Sequence, residues 1–409
     1  GATAASTQAD APQSPPARSL PLGMDRLFGA AAQVPEDVRR RLREEKREKR
    51  LREHQEVWLT QILPSYQPGT KATPRMQKLW RQGLPPKVRE VLWPMAIGNV
   101  LRITPQLFDI HKQQAMDARR AQALSRAPGL RDLVTPLSDL TFTRGCHGKE
   151  SSKDCIPIDL SRTFPTLAFF HEGGPYHEDC SQILEAYTFY RPDIGYVQGM
   201  NFLAAMLLLN LPPYDAFVGL CNMLNAPSVL GLYRLEQSAV QCRARIFREL
   251  CESQLPAVGR IIDEVGLTPE MFLIEWFITI YAKCLPIDVA SVVWDLFLLD
   301  GEVVLYCTAL ALLRITEPVL LEEECASLEH VSRVLGKDLR HRVTDPDELL
   351  WHIQEVSRRC SSQLTEAIRS IANEEFGSRG ADGGGRTLSG DSFSGFRRTW
   401  SWLPRWGSG

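Results

Sequence analysis

Two short stretches hold residues whose types and spacing could act on a phosphoanhydride. "IPIDLSRTFP" (156–165) sets Asp159 and Arg162 three positions apart in an otherwise apolar and hydroxylic segment. At that spacing the two side chains share one face of a helix or turn. Arginine is a permanent planar cation with five donors, suited to gripping anionic oxygens. A plain Asp–Arg salt bridge is the competing reading. "YRPDIGYVQGMNF" (190–202) is the second stretch. Pro192, Asp193 and Gly195 predict a turn, and the apolar run after it predicts a buried helix. Gln198 then sits at or near a helix N-terminus, next to Gly199 and two positions past Tyr196. A glutamine there can cap the helix, serve as a core amide, or orient a water that attacks a phosphate.

Other chemistries lack their signatures. There is no G-x-x-x-x-G-K-[ST], no H-E-x-x-H and no G-x-S-x-G. The eight histidines do not cluster at ligand spacing, and His171 and His177 suit a loop better than a metal site. No metal or cofactor of the chain's own is expected. Lys+Arg is 47 and Asp+Glu is 49, a balance that argues against a nucleic-acid binder working by bulk charge. Ten cysteines without a C-x-x-C pair read as reduced thiols of a cytoplasmic chain.

These residues need elements to hold them, and the sequence predicts helices. Residues 1–34 are Ala/Ser/Pro-rich and are expected to be disordered, with no apolar core of a secretory leader. Residues 35–74 read as a charged helix and a linker, the helix packing through Leu42, Leu51, Trp58 and Ile62 or serving as a partner helix. From 75 to 375 apolar residues recur at three- and four-residue spacing, as in Leu220, Met223, Leu224 and Phe272, Trp276, Ile280. "GLPPKVRE" (83–90), "LTPEMF" (267–272), "LPID" (285–288) and "VTDPDELL" (343–350) punctuate helices. "MNFLAAMLLLNL" (200–211) and "VASVVWDLFLL" (289–299) are too short to cross a bilayer and read as buried helices. Residues 141–155 read as a polar loop. Residues 376–409 begin Gly/Ser-rich and end in "FRRTWSWLPRW". That end suits a membrane interface or a peptide-docking groove, or has no role of its own.

The two opening stretches also carry a resemblance. I-x-x-D-x-x-R (Ile156, Asp159, Arg162), followed 36 positions after the arginine by the glutamine of Y-x-Q (Tyr196, Gln198), resembles the paired signature of the TBC family of Rab GTPase-activating proteins. "GLPPKVREVLW", with Arg89 and Trp93, resembles the opening of that domain. "LPIDVASVVWDLFLLDGEVVLY" (285–306) resembles a later helix pair. The resemblance covers about 75–330, with 331–375 completing the domain.

It implies an all-α, multi-helix, V-shaped domain of two helical subdomains that binds a GTP-loaded Rab. Arg162 would be an arginine finger and Gln198 a glutamine finger, both supplied in trans. GTP and Mg2+ would come with the Rab. A location on endomembranes, of the recycling-endosome or autophagy type, would follow. Asp159 is expected to organise its segment by accepting hydrogen bonds rather than to neutralise Arg162. Arg89 and Trp93 are expected to stack and buttress the catalytic segment, Tyr196 to position its loop or touch the GTPase, and Phe164 and Pro165 to shape the bend after Arg162. Trp294 and Asp295 read as structural. The reading of another class is a catalytically silent helical adaptor that binds a Rab or another trafficking partner.

Overall fold

The computed structural model describes residues 35–66, 72–126, 150–234, 236–322 and 327–381. Among these residues every regular element is helical and there is no strand, as the three- and four-residue spacing predicts. Residues 1–34, residues 141–149 of the polar loop and the Trp/Arg end at 396–406 lie outside the described residues.

The chain divides into two units, one ending at Glu53 and one starting at His54. The charged run forms α1 (Glu36–Val57). Its i,i+4 pairs, Arg40–Glu44 and Lys49–Glu53, are long (3.8 and 4.0 Å) and solvated, so each contributes about 0.3–0.5 kcal/mol at best. Leu42, expected to pack, is half exposed. Charges all around α1 leave no apolar stripe for it to join. Val57 at its end packs against the core, and Trp58 and Ile62 are buried in a π-turn (Trp58–Ile62). Trp58 meets Trp80 edge-on at 6.3 Å.

The second unit continues through α2 (Pro74–Trp80), α3 (Pro86–Ile97), α4 (Pro105–Arg126), a 3-10 turn (Glu150–Cys155) and α5 (Ile156–Ser161). Then come α6 (His177–Tyr190), α7 (Met200–Leu208), α8 (Pro213–Leu224), α9 (Pro227–Tyr233), α10 (Gln237–Gln254) and α11 (Pro256–Glu264). The last are α12 (Glu270–Ile278), α13 (Ile287–Asp300), α14 (Val303–Leu320), α15 (Leu328–Leu335), α16 (Leu339–Arg342) and α17 (Pro346–Ala381). Proline opens many of them because its fixed φ suits the first turn and its missing N–H is not needed there. Thr73 caps α2 through its side chain, which accepts from Met76 N, and Ser327 caps α15 in the same way. The helix punctuation read in the sequence falls at the starts of α3, α12, α13 and α17.

All nine residues of α7 are buried. So are Val289–Leu299 of α13 and most of α14, which packs against α13 and α17. By length and composition α14 could cross a membrane, but most of it is buried inside the fold. The recurring apolar sets Leu220, Met223, Leu224 and Phe272, Trp276, Ile280 all face this interior. α17 extends to Ala381, past residue 376, where the composition turns Gly/Ser-rich.

Asp295 of α13 is the polar centre of this core. Its carboxylate accepts Arg89 Nε and Nη2 at 3.0 and 2.8 Å, Trp93 Nε1 at 2.9 Å and the backbone N–H of Leu84 at 2.9 Å. Its carbonyl accepts Trp80 Nε1 at 2.6 Å. Trp93 stacks on Trp294 at 5.4 Å, and the Arg89 guanidinium lies 5.9 Å from the Trp93 ring. The expected Arg89–Trp93 contact is present. The hydrogen bonds of the pair go to α13. A buried carboxylate 206 positions away in sequence claims both donors, because leaving that charge unmatched inside the core would be costly.

Candidate functional site

α5 is a six-residue helix anchored by Ile156 and Leu160, both fully buried. It ends at Arg162, whose N–H returns to the Asp159 carbonyl at 3.2 Å. That carbonyl also takes the Thr163 hydroxyl at 2.7 Å. Phe164 then turns the chain with φ +43°, a left-handed conformation that costs a non-glycine residue about 1–2 kcal/mol. Burial of its ring against Phe202 (5.5 Å, edge-on) and near Phe170 (6.1 Å) offsets that cost. Phe164 therefore does shape the bend, leaving Arg162 at a helix end that points into solvent.

The second stretch forms a turn. Arg191 Nε and Nη2 each donate to Asp193 at 2.8 Å, and the Arg191 guanidinium pulls the Asp193 carboxyl down to about 2. Gly195 and Gly199 both have positive φ, +69° and +106°. Gly199 caps α7, and a Cβ there would come within 3.2 Å of Thr279 and 3.3 Å of Ile278. The turn thus lies tightly against the end of α12 with Gln198 exposed just before the helix, as the sequence predicts. The Gln198 amide has no hydrogen-bond partner among the described residues.

A buried polar cluster joins the two stretches. Tyr196 is buried and donates its hydroxyl to Asp159 Oδ2 at 2.5 Å. Burial first, and the Asp159 carboxylate second, push the phenol well above its ordinary pKa, so it remains a donor at every physiological pH. Tyr196 therefore positions its loop and does not reach outward. Asn201 completes the join. Its Nδ2 donates to Thr163 Oγ1 at 2.7 Å, and its Oδ1 accepts the Gly199 N–H at 3.1 Å. Neither Asn201 nor Thr163 stands out from sequence patterning. The only hint is a lone amide inside the otherwise apolar "GMNFLAAM".

Asp159 departs from expectation. Besides accepting from Tyr196 it is ion-paired with Arg162 Nη2. The reason is the spacing: at i,i+3 around the last turn of a short helix, the guanidinium has no nearer anion. The pair is lopsided, with the Asp159 side chain 4% exposed and Arg162 53% exposed.

Arg162 and Gln198 open into the same cleft, of about 690 Å3. Pro165, Phe202, Ile274 and Ile278 supply apolar lining, and Lys283, Lys337, Arg340 and His341 supply cationic or polar lining. Arg89, Trp93 and Ile156 are not part of that lining. Among the described residues no group of three or more His, Cys, Asp or Glu side chains could hold a metal ion.

Comparison with known proteins identifies the fold around this cleft. The Rab-GTPase-TBC domain family matches residues 144–321. Drainin of Dictyostelium discoideum is 33% identical over 328 residues, covering 73% of each chain. This chain belongs to the Rab-GTPase-TBC domain family. TBC1 domain family member 12 of Xenopus tropicalis is 38% identical over 340 residues, 80% of this chain but 48% of that relative. The chain thus spans about half the length of that relative. Among solved structures, the TBC domain of a Chlamydomonas flagellar RabGAP superimposes with a TM-score of 0.58 at 19% identity, covering 79% of this chain and 96% of that one. The helical order of this TBC domain is therefore that of a solved member, and the cleft with Arg162 and Gln198 is its candidate site.

Proposed function

We propose that this chain accelerates GTP hydrolysis by a Rab-family small GTPase in its GTP-bound form, lending Arg162 and Gln198 to the GTPase active site. The observation that carries the reading is the convergence of these two side chains on one cleft, with a buried cluster of Asp159, Tyr196, Asn201 and Thr163 fixing one segment to the other. As the γ-phosphoryl leaves, negative charge grows on its oxygens and on the bridging oxygen. A guanidinium placed there lowers the barrier by about 4–7 kcal/mol, or 10³–10⁵ in rate. Gln198 aligns the attacking water through its amide, which needs no titration. GTP and Mg2+ arrive with the GTPase.

The ion pair to Asp159 favours a second reading, a silent adaptor whose arginine is structural. Magnitudes argue for the first. An ion pair with its cation half in solvent is worth on the order of 1 kcal/mol, well below what the same guanidinium contributes beside a phosphoryl group. Asp159 is also not stranded when Arg162 leaves, because Tyr196 still donates to it. In the cell the activity would act on membrane traffic from the cytoplasmic side of endomembranes, and the Trp/Arg end, outside the described residues, would add a peripheral membrane or protein contact.

The test is single-turnover GTP hydrolysis by a panel of purified Rab GTPases with the wild-type chain, Arg162→Ala and Gln198→Ala. Acceleration of at least one member, falling by two or more orders of magnitude in each variant, supports the reading. GTP-dependent binding without acceleration transfers the chain to the adaptor class.

A further inference from the structure

The cleft has a second cationic region, contributed by chain far from either catalytic stretch. Residues 333–342, at the corner from α15 to α16, carry Arg333, Lys337, Arg340 and Arg342 against a single acid, Asp338. Asp338 is already shared by Arg333 (3.7 Å) and Arg342 (3.9 Å). Lys337 and Arg340, the two that line the cleft, have no carboxylate partner among the described residues. Glu275, the acid in the same lining, is engaged by Lys283.

Arg340 is moreover held in place. Its Nη2 donates to the Lys283 carbonyl at 2.6 Å. That carbonyl sits on an unusual turn. Ile280 and Tyr281 are consecutive non-glycine residues in the left-handed region, at φ +46° and +62°. A β-branched residue there is a genuine outlier. The turn persists because Tyr281 is fully buried with its hydroxyl on the Leu305 carbonyl at 2.6 Å, and because the Ile278 carbonyl accepts the Tyr233 hydroxyl. Strain maintained by its surroundings in this way commonly marks a functional surface. Here it fixes one guanidinium, while Lys337 beside it stays exposed.

We infer that Lys337 and Arg340 form an electrostatic docking wall for an acidic segment of the GTP-loaded GTPase, setting affinity and partner choice and leaving the chemical step to Arg162 and Gln198. Charge complementarity is the argument. Two uncompensated cations in one cleft attract an anionic surface, and rim charges of this kind act mainly on encounter rate and salt dependence. The inference rests on the reading of the chain as a GTPase activator.

The experiment measures kcat and KM separately on a responding Rab, at low and at physiological salt, for wild type, Lys337→Glu, Arg340→Gln and a control reversal on α11, Arg260→Glu. Thermal unfolding checks that each variant is folded, and Lys337→Glu changes only an exposed side chain. Each wall variant should raise KM about five- to tenfold with kcat within twofold of wild type and a shallower salt dependence. The control should match wild type. An unchanged KM in both wall variants, with wild type still active, overturns the inference and leaves the activator reading standing. A wild-type chain that neither binds nor activates any Rab overturns both. Binding to anionic lipid vesicles that the wall variants abolish, with KM unchanged, also overturns it and reassigns the wall to a membrane.

Discussion

Two of the Asp–Arg pairs in the TBC domain, Arg89–Asp295 and Arg162–Asp159, behave differently in the fold. Arg89 and Asp295 are sealed, at 9% and 0% side-chain exposure. Asp295 accepts four donors on its carboxylate alone, counting both guanidinium nitrogens, the Trp93 indole and the Leu84 amide. Arg162 and Asp159 are close in sequence, and only the acid is sealed. In the first pair the geometry commits the arginine to the core. In the second a buried acid, itself steadied by Tyr196, holds a solvent-facing arginine that is free to exchange one anion for another. Whether an arginine is structural or available thus depends less on having a partner than on what surrounds its other donors.

The largest effect expected from this contrast is on stability. Arg89→Ala strands the Asp295 carboxylate in the core and should cost about 3–5 kcal/mol, read as a loss of midpoint in denaturant unfolding. A loss under 1 kcal/mol would erase the distinction between the pairs. Arg162→Ala should do the reverse, lowering GTPase activation by two orders of magnitude or more, about 3 kcal/mol of barrier or above, with unfolding shifted by no more than about 1 kcal/mol. Asn201→Ala sharpens the comparison from inside the cluster. It leaves the Gly199 N–H and the Thr163 hydroxyl without their amide, should cost about 1–3 kcal/mol of stability, and, on the proposed function, should lower kcat more than it raises KM because the segments that carry Arg162 and Gln198 lose their tie. Tyr196→Phe removes one hydrogen bond to a carboxylate and should cost about 1.5–3 kcal/mol at most, with the same bias toward kcat.

The smallest effect is a pH dependence. Arg191 lowers the Asp193 pKa to about 2, below the ordinary carboxylate value near 3.9. The folded state therefore binds that proton less readily than the unfolded chain does. The stabilisation is complete above about pH 4 and is lost as pH falls toward 2. Because Asp193 is half exposed, the contribution is a few tenths of a kcal/mol. Asp193→Asn should remove it, seen as faster amide exchange in the 191–199 turn at neutral pH and little further change on acidification.

Much of the fold was legible because helical periodicity and proline punctuation are local signals. Leu220, Trp276 and the starts of α3 and α17 follow from nearest neighbours alone. Arg162, Gln198, Tyr196 and Asp159 were legible as an ordered pair of motifs, and the structure brings them together. Long-range partners were not. Nothing near Arg89 indicates that its acid lies 206 positions on, so its support could be sensed but not directed. Asn201 was hidden by the apolar run around it. The pairing of Arg162 with Asp159 was undecidable from i,i+3 spacing, which permits both a salt bridge and a free guanidinium.

Gly199 carries a consequence for how far this region can vary. Its backbone sits at φ +106°, and a single added carbon would press on both Thr279 and Ile278. Either constraint alone narrows the choice of residue, and the two are independent, so no compensating change at one relieves the other. In a library randomised across 191–205 and selected for activation, position 199 should return glycine alone, while the exposed position of Asp193 tolerates exchange. The diversity recovered at each position would amount to a map of contact with α12, obtained from surviving sequences and no coordinates.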